Sequence, residues 1–375
     1  FTGPVRDPYA SLIAAIGGSR VTIISADVPS GVDSDTGVVT GPAVRADVTV
    51  TFSAAKPGLL MYPGATHAGE VLVANLGIAH ELLARPGAVG LPELADLRAL
   101  LPPTRPDDHK GSRGRVAVVA GSLAYAGAAV LTAMGALRLG AGYVYVVVPD
   151  SIAAVVRAQL PNTIVRAVSS SADGSIAEAG PVLAAIADAD AVVAGPGLTT
   201  GAGAADAVRT LISDTTVPLL LDADALNVVA ADIGPLLERQ APTLVTPHPG
   251  EAARLLGTTT ERVQADRLSA AAGLTGPALA CLLKGPRSVV AVSGRQALVL
   301  AGNAGLARAG SGDILAGMVG TLMAQRLDPF EAAMLGAHLH GRAAELGTAE
   351  LTETCFTSTD IVRFVPAAVR ELLGG

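Results

Sequence analysis

Aromatic side chains are scarce: they make up 3% of the 375 residues, and tryptophan is absent. A core built without them must close by fitting small groups together. Half of the residues are hydrophobic, with Ala and Gly dominating, so composition favours helices packed closely on sheets in an α/β arrangement. Cysteine is nearly as rare. Cys281 and Cys355 stand far apart and neither has a metal-type spacing, which leaves no disulfide framework and no cysteine metal site. Both read as reduced thiols of a cytoplasmic protein, with Cys281 as core in an apolar strand. Basic clusters are missing too, and the formal net charge is −7, which argues against a nucleic-acid partner. No secretory signal is visible. The first residue is Phe1 rather than Met, and the chain reads as opening in mid-domain, with further residues expected upstream. One uncharged run, Val116 to Leu137, has the length of a bilayer span. Gly121-Ser122 interrupts it and small residues fill much of it. A strand, a glycine turn and an Ala-rich helix therefore account for it without a membrane.

The length suits two domains. A first block, 1–84, carries apolar β-branched runs at Val21–Ile24, Val48–Phe52 and Glu70–Ala74, read as buried strands. Few helical segments remain to cover that sheet, so the front half of this domain is expected to lie upstream. A link at 85–103 leads into the second block, 104–375. There, strands at Arg115–Ala120, Tyr143–Val148, Ala191–Ala194, Pro218–Leu221 and Thr243–Val245 alternate with Ala-rich helices such as Gly127–Leu139 and Ala204–Ser213. Such alternation means right-handed crossovers and a mostly parallel sheet with flanking helices. A strand at Ala280–Leu283, short antiparallel strands at Ser288–Val292 and Ala297–Leu300, and helices at Gly312–Gln325 and Pro329–Leu346 complete the block.

Ligands of such sheets bind beyond the carboxyl ends of the strands. Gly121-Ser122, Gly195-Pro196-Gly197, Asp222-Ala223-Asp224 and Thr246–Glu251 all follow strands, and their convergence on one edge marks a site. The strongest element is Asn303–Gly317, which contains Gly310-Ser311-Gly312-Asp313. Its glycines let a ligand approach the backbone. A helix starting near Gly312 points free amides and its positive end at that ligand, which suits a phosphate. Asp313, in the first turn, is placed to take a proton from an acceptor hydroxyl. Taken alone, an Asp that merely favours the helix dipole explains it better; the long glycine-bearing approach loop tips the reading toward function. Lys284–Ser288 offers a lysine and amides for a nucleotide phosphate, with a plain surface turn an equal alternative. His248 sits between two prolines. It reads as a solvated loop histidine unless its place on the same edge brings it to substrate. Asp222 and Asp224 read as a magnesium relay or, for one of them, a helix N-cap.

With these motifs laid out, the second block resembles the ADP-dependent NAD(P)H-hydrate dehydratases, which are ribokinase-like. The match runs through His109-Lys110-Gly111 with Gly114, Ala120-Gly121-Ser122, Gly127-Ala128-Ala129, Gly195-Pro196-Gly197 and Asp222–Leu226. It continues through Thr246–Glu251, Lys284-Gly285 and Gly310–Asp313, in order, from about Leu91 to Leu373. The first block resembles the C-terminal half of the NAD(P)H-hydrate epimerase domain, a partial Rossmann-like α/β domain. Its marks are Asp27-Val28-Pro29-Ser30-Gly31-Val32-Asp33, Thr51-Phe52 and Lys56-Pro57-Gly58. The Asn- and Gly-rich potassium and phosphate loop of that family has no match, and Thr2-Gly3-Pro4 reads as the tail of a second glycine loop. As a whole molecule the chain would lack epimerase activity; with residues upstream it is bifunctional.

The resemblance implies a lyase joined to an isomerase, acting on the hydrated nucleotides NADHX and NADPHX. The isomerase interconverts the R and S hydrates. The lyase removes water from the S form, using ADP with magnesium and releasing AMP and phosphate. Asp313 is implied as the base, and Ala128, Gly197, His248 and Asp313 as the lining of the hydrate site. Lys284, Gly285, Pro286, Arg287, Ser288 and Gly312 are implied to hold the AMP portion. Asp27 is implied to contact the epimerase substrate, and Ser30 to help bind a potassium ion. Apolar helices and an Ala-rich surface suggest a homo-oligomer. Two other readings compete. A ribokinase-like kinase of a small metabolite would leave a stable phosphorylated product, and the epimerase-like block argues against it. A non-catalytic nucleotide-binding module is disfavoured by Asp313, His248 and Lys284 occurring together.

Overall fold

The computed structural model describes residues 3–83 and 87–374. The chain divides into two compact units. One takes in the chain up to Gly90 with Gln264–Leu268 and Gly294–Gln296; the other takes in Leu91–Val263, Ser269–Ser293 and the chain from Ala297 on.

In the first unit, β1 (Ile24–Ala26), β2 (Val48–Phe52) and β3 (Glu70–Ala74) lie side by side in that order, all parallel. The apolar run at 21–24 joins the sheet only at Ile24, and both Val21 and Ile24 are exposed. The expectation of buried strands fails here. Ser25, Thr49 and Thr51 are buried, but Leu72 and Val73 are 47% and 53% exposed. Parallel strands are buried on both faces only where helices cover both. Among the described residues of this unit, three of the helices are four residues long, and Tyr9–Gly17 buries Ile13 alone.

The second unit holds β4 (Arg115–Val119), β5 (Tyr143–Pro149), β6 (Ile164–Val168), β7 (Ala191–Ala194), β8 (Leu219–Leu221), β9 (Thr243–Val245), β10 (Leu279–Leu283), β11 (Ser288–Val292) and, from Ala297 on, β12 (Arg295–Val299). They lie in one sheet in the order β12-β11-β10-β9-β8-β7-β4-β5-β6. From β10 to β6 every pairing is parallel, and β11 runs antiparallel to β10. Val116 to Val119 and Val146 to Val148 are fully buried, as central parallel strands should be. β6 escaped the sequence reading because it is a partly exposed edge whose apolar run is broken by Arg166. That guanidinium lies 3.6 Å over the Tyr145 ring and pairs with Asp188 at 2.7 Å.

Six helices matter for the site: α1 (Ala126–Arg138), α2 (Asp224–Val229), α3 (Pro249–Leu255), α4 (Ser311–Ala324), α5 (Pro329–Cys355) and α6 (Ser358–Leu373). β4, a turn and α1 account for the uncharged run at 116–137, and no helix among the described residues is long and apolar enough to cross a membrane. The small-residue composition shows its use where α1 meets α4. A Cβ on Gly317 would lie 1.8 Å from the Thr132 carbonyl, and one on Gly135 would lie 2.2 Å from that of Ile314. α5 runs past the expected end at Leu346 to Cys355, through a non-helical Thr352. α6 was not foreseen, since Pro366 interrupts its pattern, although Thr357 and Asp360 form a capping box at its start. Both cysteines are free, Cys281 buried in β10 and Cys355 exposed.

Candidate active site

The carboxyl ends of β4, β7, β8, β9 and β10 gather the glycine-bearing turns, and hydrogen bonds tie the turns together. The Gly121 amide donates to the Pro196 carbonyl at 2.8 Å, and the Lys284 amide donates to that of Pro247 at 2.8 Å. A Cβ on Gly197 would come within 2.9 Å of the Ala128 Cβ and 2.7 Å of that of Tyr125, so Ala128 and Gly197 adjoin. Gly195 stands at φ +130, and a Cβ there would lie 1.8 Å from the Asp222 carbonyl, so only glycine fits.

Asp222 and Asp224 do not act as a helix N-cap. Ala223, at φ +51, holds that place at the start of α2 without a side-chain bond. The Asp224 carboxylate instead accepts the Thr199 amide at 2.8 Å and the Asn227 side-chain amide at 3.3 Å. Asp222, 1% exposed, accepts the Lys284 ammonium at 2.6 Å. Lys284 is therefore no plain surface turn. Burial alone would depress its pKa, but Asp222, Glu251 and Asp313 outweigh burial and hold it above the ordinary lysine value. Beyond it, Gly285 and Pro286 are exposed and Arg287, at φ +58, donates to the Leu300 carbonyl. The Ser288 hydroxyl donates to the Gly285 carbonyl at 3.1 Å.

Gly310, in the left-handed region at φ +87, is the N-cap of α4, and Ser311 is its first residue. A Cβ on Gly312 would lie 3.2 Å from Lys284 Nζ and 3.8 Å from Asp222 Oδ2, so the buried ion pair sits directly against the first turn. Asp313 follows. Burial, then the charge of Asp222, raises its pKa to about 6 against the pull of Lys284, with Asp224 adding to the rise. A free helix start would lower it instead. At neutral pH such a carboxylate is mostly ionised and is a far better proton acceptor than an ordinary aspartate.

His248 is not a freely solvated histidine. It is the N-cap of α3: Nδ1 accepts the Gly250 and Glu251 amides at 3.0 and 3.3 Å, while its own amide donates to Glu251 Oε2 at 2.7 Å. These bonds leave the proton on Nε2. Burial, then Lys284 and Arg254, lowers its pKa, so the half-exposed ring is neutral at neutral pH. Burial raises the pKa of Glu251 as well.

In the first unit Asp27, at φ +65, follows β1. Its Oδ1 accepts the Lys56 ammonium, the Thr51 hydroxyl at 3.2 Å and the Phe52 amide at 3.1 Å. Burial pushes its pKa up, but the Lys56 and Phe52 hydrogen bonds outweigh that and hold it below the usual carboxylate value. Ser30 is exposed, and its carbonyl accepts the Val44 amide at 2.9 Å. Thr2 of the expected glycine-loop tail lies outside the described residues. Three participants had no sequence signal of their own. Asp222 as partner of Lys284 lies 62 residues away in the chain, His340 touches Ser311 from 29 residues away, and Tyr125 adjoins Gly197 by packing.

Residues 116–367 match the family described as NAD(P)H-hydrate dehydratase, and residues 1–58 match the YjeF-related protein N-terminus. A bifunctional NAD(P)H-hydrate repair enzyme of Thermofilum pendens is 38% identical, over 98% of this chain and 71% of its own length. One of Salinibacter ruber is 41% identical, over 100% of this chain and 70% of its own. Among solved structures, an ADP/ATP-dependent NAD(P)H-hydrate dehydratase of Bacillus subtilis, co-crystallised with ATP and Mg2+, is similar at a TM-score of 0.66 and 28% identity. The match covers 76% of this chain and 99% of that one. A ribokinase-like superfamily protein of Enterococcus faecalis shares the fold at a TM-score of 0.63 and 22% identity. A ribokinase-like sheet and these likenesses agree: the chain belongs to the family of bifunctional NAD(P)H-hydrate repair enzymes.

Proposed function

We propose that the second unit dehydrates the S form of NADHX or NADPHX at the expense of ADP, releasing AMP and phosphate. The observation that carries this is Asp313, its pKa raised to about 6, at an amide-bearing helix start packed against a buried lysine. Hydroxide leaves poorly and phosphate leaves well. Asp313 takes the proton of the C6 hydroxyl, whose oxygen bonds to the β-phosphorus of ADP as the bond to the oxygen retained by AMP breaks. The amides of Gly310 to Gly312 and the positive end of α4 stabilise the charge on the moving phosphoryl group, with Lys284 adding charge from below. The ring nitrogen lone pair then expels phosphate, and loss of a neighbouring ring proton restores NAD(P)H.

In this reading Ala128, Gly197 and His248 line the hydrate side, and Lys284, Gly285, Pro286, Arg287, Ser288 and Gly312 the AMP side. Among the described residues no group of three His, Cys, Asp or Glu is disposed to hold a metal ion, and Asp222 and Asp224 are engaged by Lys284 and Thr199. This suits magnesium that arrives on the nucleotide, since such ions keep waters and phosphate oxygens as ligands and neutralise phosphate charge.

For the first unit we propose epimerisation of the R and S hydrates, with Asp27 at the substrate and Ser30 lending its hydroxyl to potassium. Asp27 is held in place there by Lys56, Thr51 and the Phe52 amide. Boundaries at 1–84, 85–103 and 104–375, a cytoplasmic location and a homo-oligomeric state belong to the same proposal and rest on the motifs and composition.

The test gives the purified protein hydrated NADH with ADP and magnesium and follows the return of NADH absorbance. Return with release of free phosphate is expected. No return with either ADP or ATP sinks the proposal, and a stable phosphorylated product would establish a kinase instead.

A further inference from the structure

α5 runs beside the whole approach loop and grips it at successive points. A Cβ on Gly341 would lie 2.5 Å from the Ala301 carbonyl, so helix and loop touch there. Glu345 accepts the Gly302 amide at 2.7 Å, and Thr348 accepts the Asn303 side-chain amide at 2.6 Å. Arg308 donates back to the Glu353 and Thr354 carbonyls at 3.1 and 3.2 Å. One contact from α5 reaches the catalytic turn itself. His340 Nε2 lies 3.0 Å from the Ser311 carbonyl and 3.3 Å from its hydroxyl, and both residues are 5% exposed. A carbonyl only accepts, so Nε2 carries the proton. Burial lowers the imidazole pKa to about 4, against the Ser311 bond and with help from Lys284, so the ring stays a neutral donor.

We propose that His340 is a positioning residue of the dehydratase site, which rests on the reading above: its Nε2–H holds the Ser311 carbonyl and so fixes the first turn of α4, where Gly312 presents its amide and Asp313 its carboxylate. The proton stays on His340 throughout, and no bond is made or broken there. The turn is short and glycine-flanked. Without the tether, the first turn loses its hydrogen bond from α5, and the Asp313 carboxylate shifts from its working position.

The test compares His340→Leu, which keeps bulk without a donor, with His340→Gln, which restores an N–H of similar reach. Dehydration kinetics, calorimetric ADP binding and amide hydrogen exchange of the Ser311–Leu315 peptide are measured on the full chain. A displaced catalytic group costs about 10²-fold in rate, so H340L should lose about that much in kcat while ADP affinity changes far less. H340Q should recover most of the loss, and exchange should be faster in H340L and restored in H340Q. Equal kcat and equal exchange in the two variants, or wild-type values in both, overturn the proposal. If H340L does not fold, His340→Asn, whose amide is too short to reach, replaces it; equal behaviour of H340N and H340Q is again fatal. Failure of the dehydratase reading shows separately as absent turnover in the wild type, and the exchange comparison still decides the tether.

Discussion

Both units hold a Lys–Asp pair at the carboxyl ends of parallel strands, and the two pairs live in different surroundings. Asp27 follows β1 and meets Lys56 beyond β2; Asp222 follows β8 and meets Lys284 at the end of β10. In the first pair the Lys56 and Asp27 side chains are 26% and 41% exposed; in the second, those of Lys284 and Asp222 are 18% and 2% exposed. Water screens the first, so its attraction is weak, and Asp27 stays an ionised carboxylate whose pKa lies below the usual value. The second has left water and lies against a third acid. Its Asp222 helps lift Asp313 to about 6, while its Lys284 keeps that rise in check. Identical residue types thus make an anchor in one unit and the electrostatic setting of the candidate base in the other. Burial is the variable that separates them.

The largest expected effect falls on the candidate base. Asp313→Asn should cut dehydration by about 10²–10⁴-fold with ADP binding mostly intact; a variant with near wild-type turnover removes Asp313 from the role. The same substitution should stabilise the fold. The folded pKa of about 6 stands above the ordinary 3.8, so ionised Asp313 opposes folding, with no cost below about 3.8 and the full cost above about 6. Relief of order 1–3 kcal/mol in D313N at pH 8, shrinking toward acid pH, would be seen in denaturant melts. Next comes Lys284→Met, which leaves Asp222 buried without its cation and should cost about 3–5 kcal/mol; adding Asp222→Asn should recover part of it. Wild-type kcat should fall as acid protonates Asp313, with its midpoint near pH 6; a flat profile there means another group limits the rate. Smallest is Lys56→Met, expected to cost under about 1 kcal/mol because its partner is half exposed. Equal losses for K284M and K56M would break the contrast between the pairs.

Much of the fold and of the site is legible in the residues themselves. The central strands of the second unit are apolar, and glycine-bearing turns follow β4, β7 and β9. The Gly310–Asp313 turn announces a helix start that can face a phosphate. What escaped had no local mark. β6 is an edge strand carrying Arg166, and α6 carries Pro366 inside. Lys284 reads as well as a surface turn as a buried charge, because Asp222 lies 62 residues away. His248 reads as solvated because its capping bonds depend on where α3 begins.

The sequence by itself determined the α/β class and pointed to the strand ends and to Asp313 as the candidate site and the candidate base. Strand runs, glycine turns and helix starts depend on neighbouring residues, so a linear reading reaches them. Only the tertiary structure decided which charges left water, which carboxylate became basic and which histidine stayed a neutral donor. Those properties arise where several distant segments exclude solvent together, and desolvation has no signature along the chain.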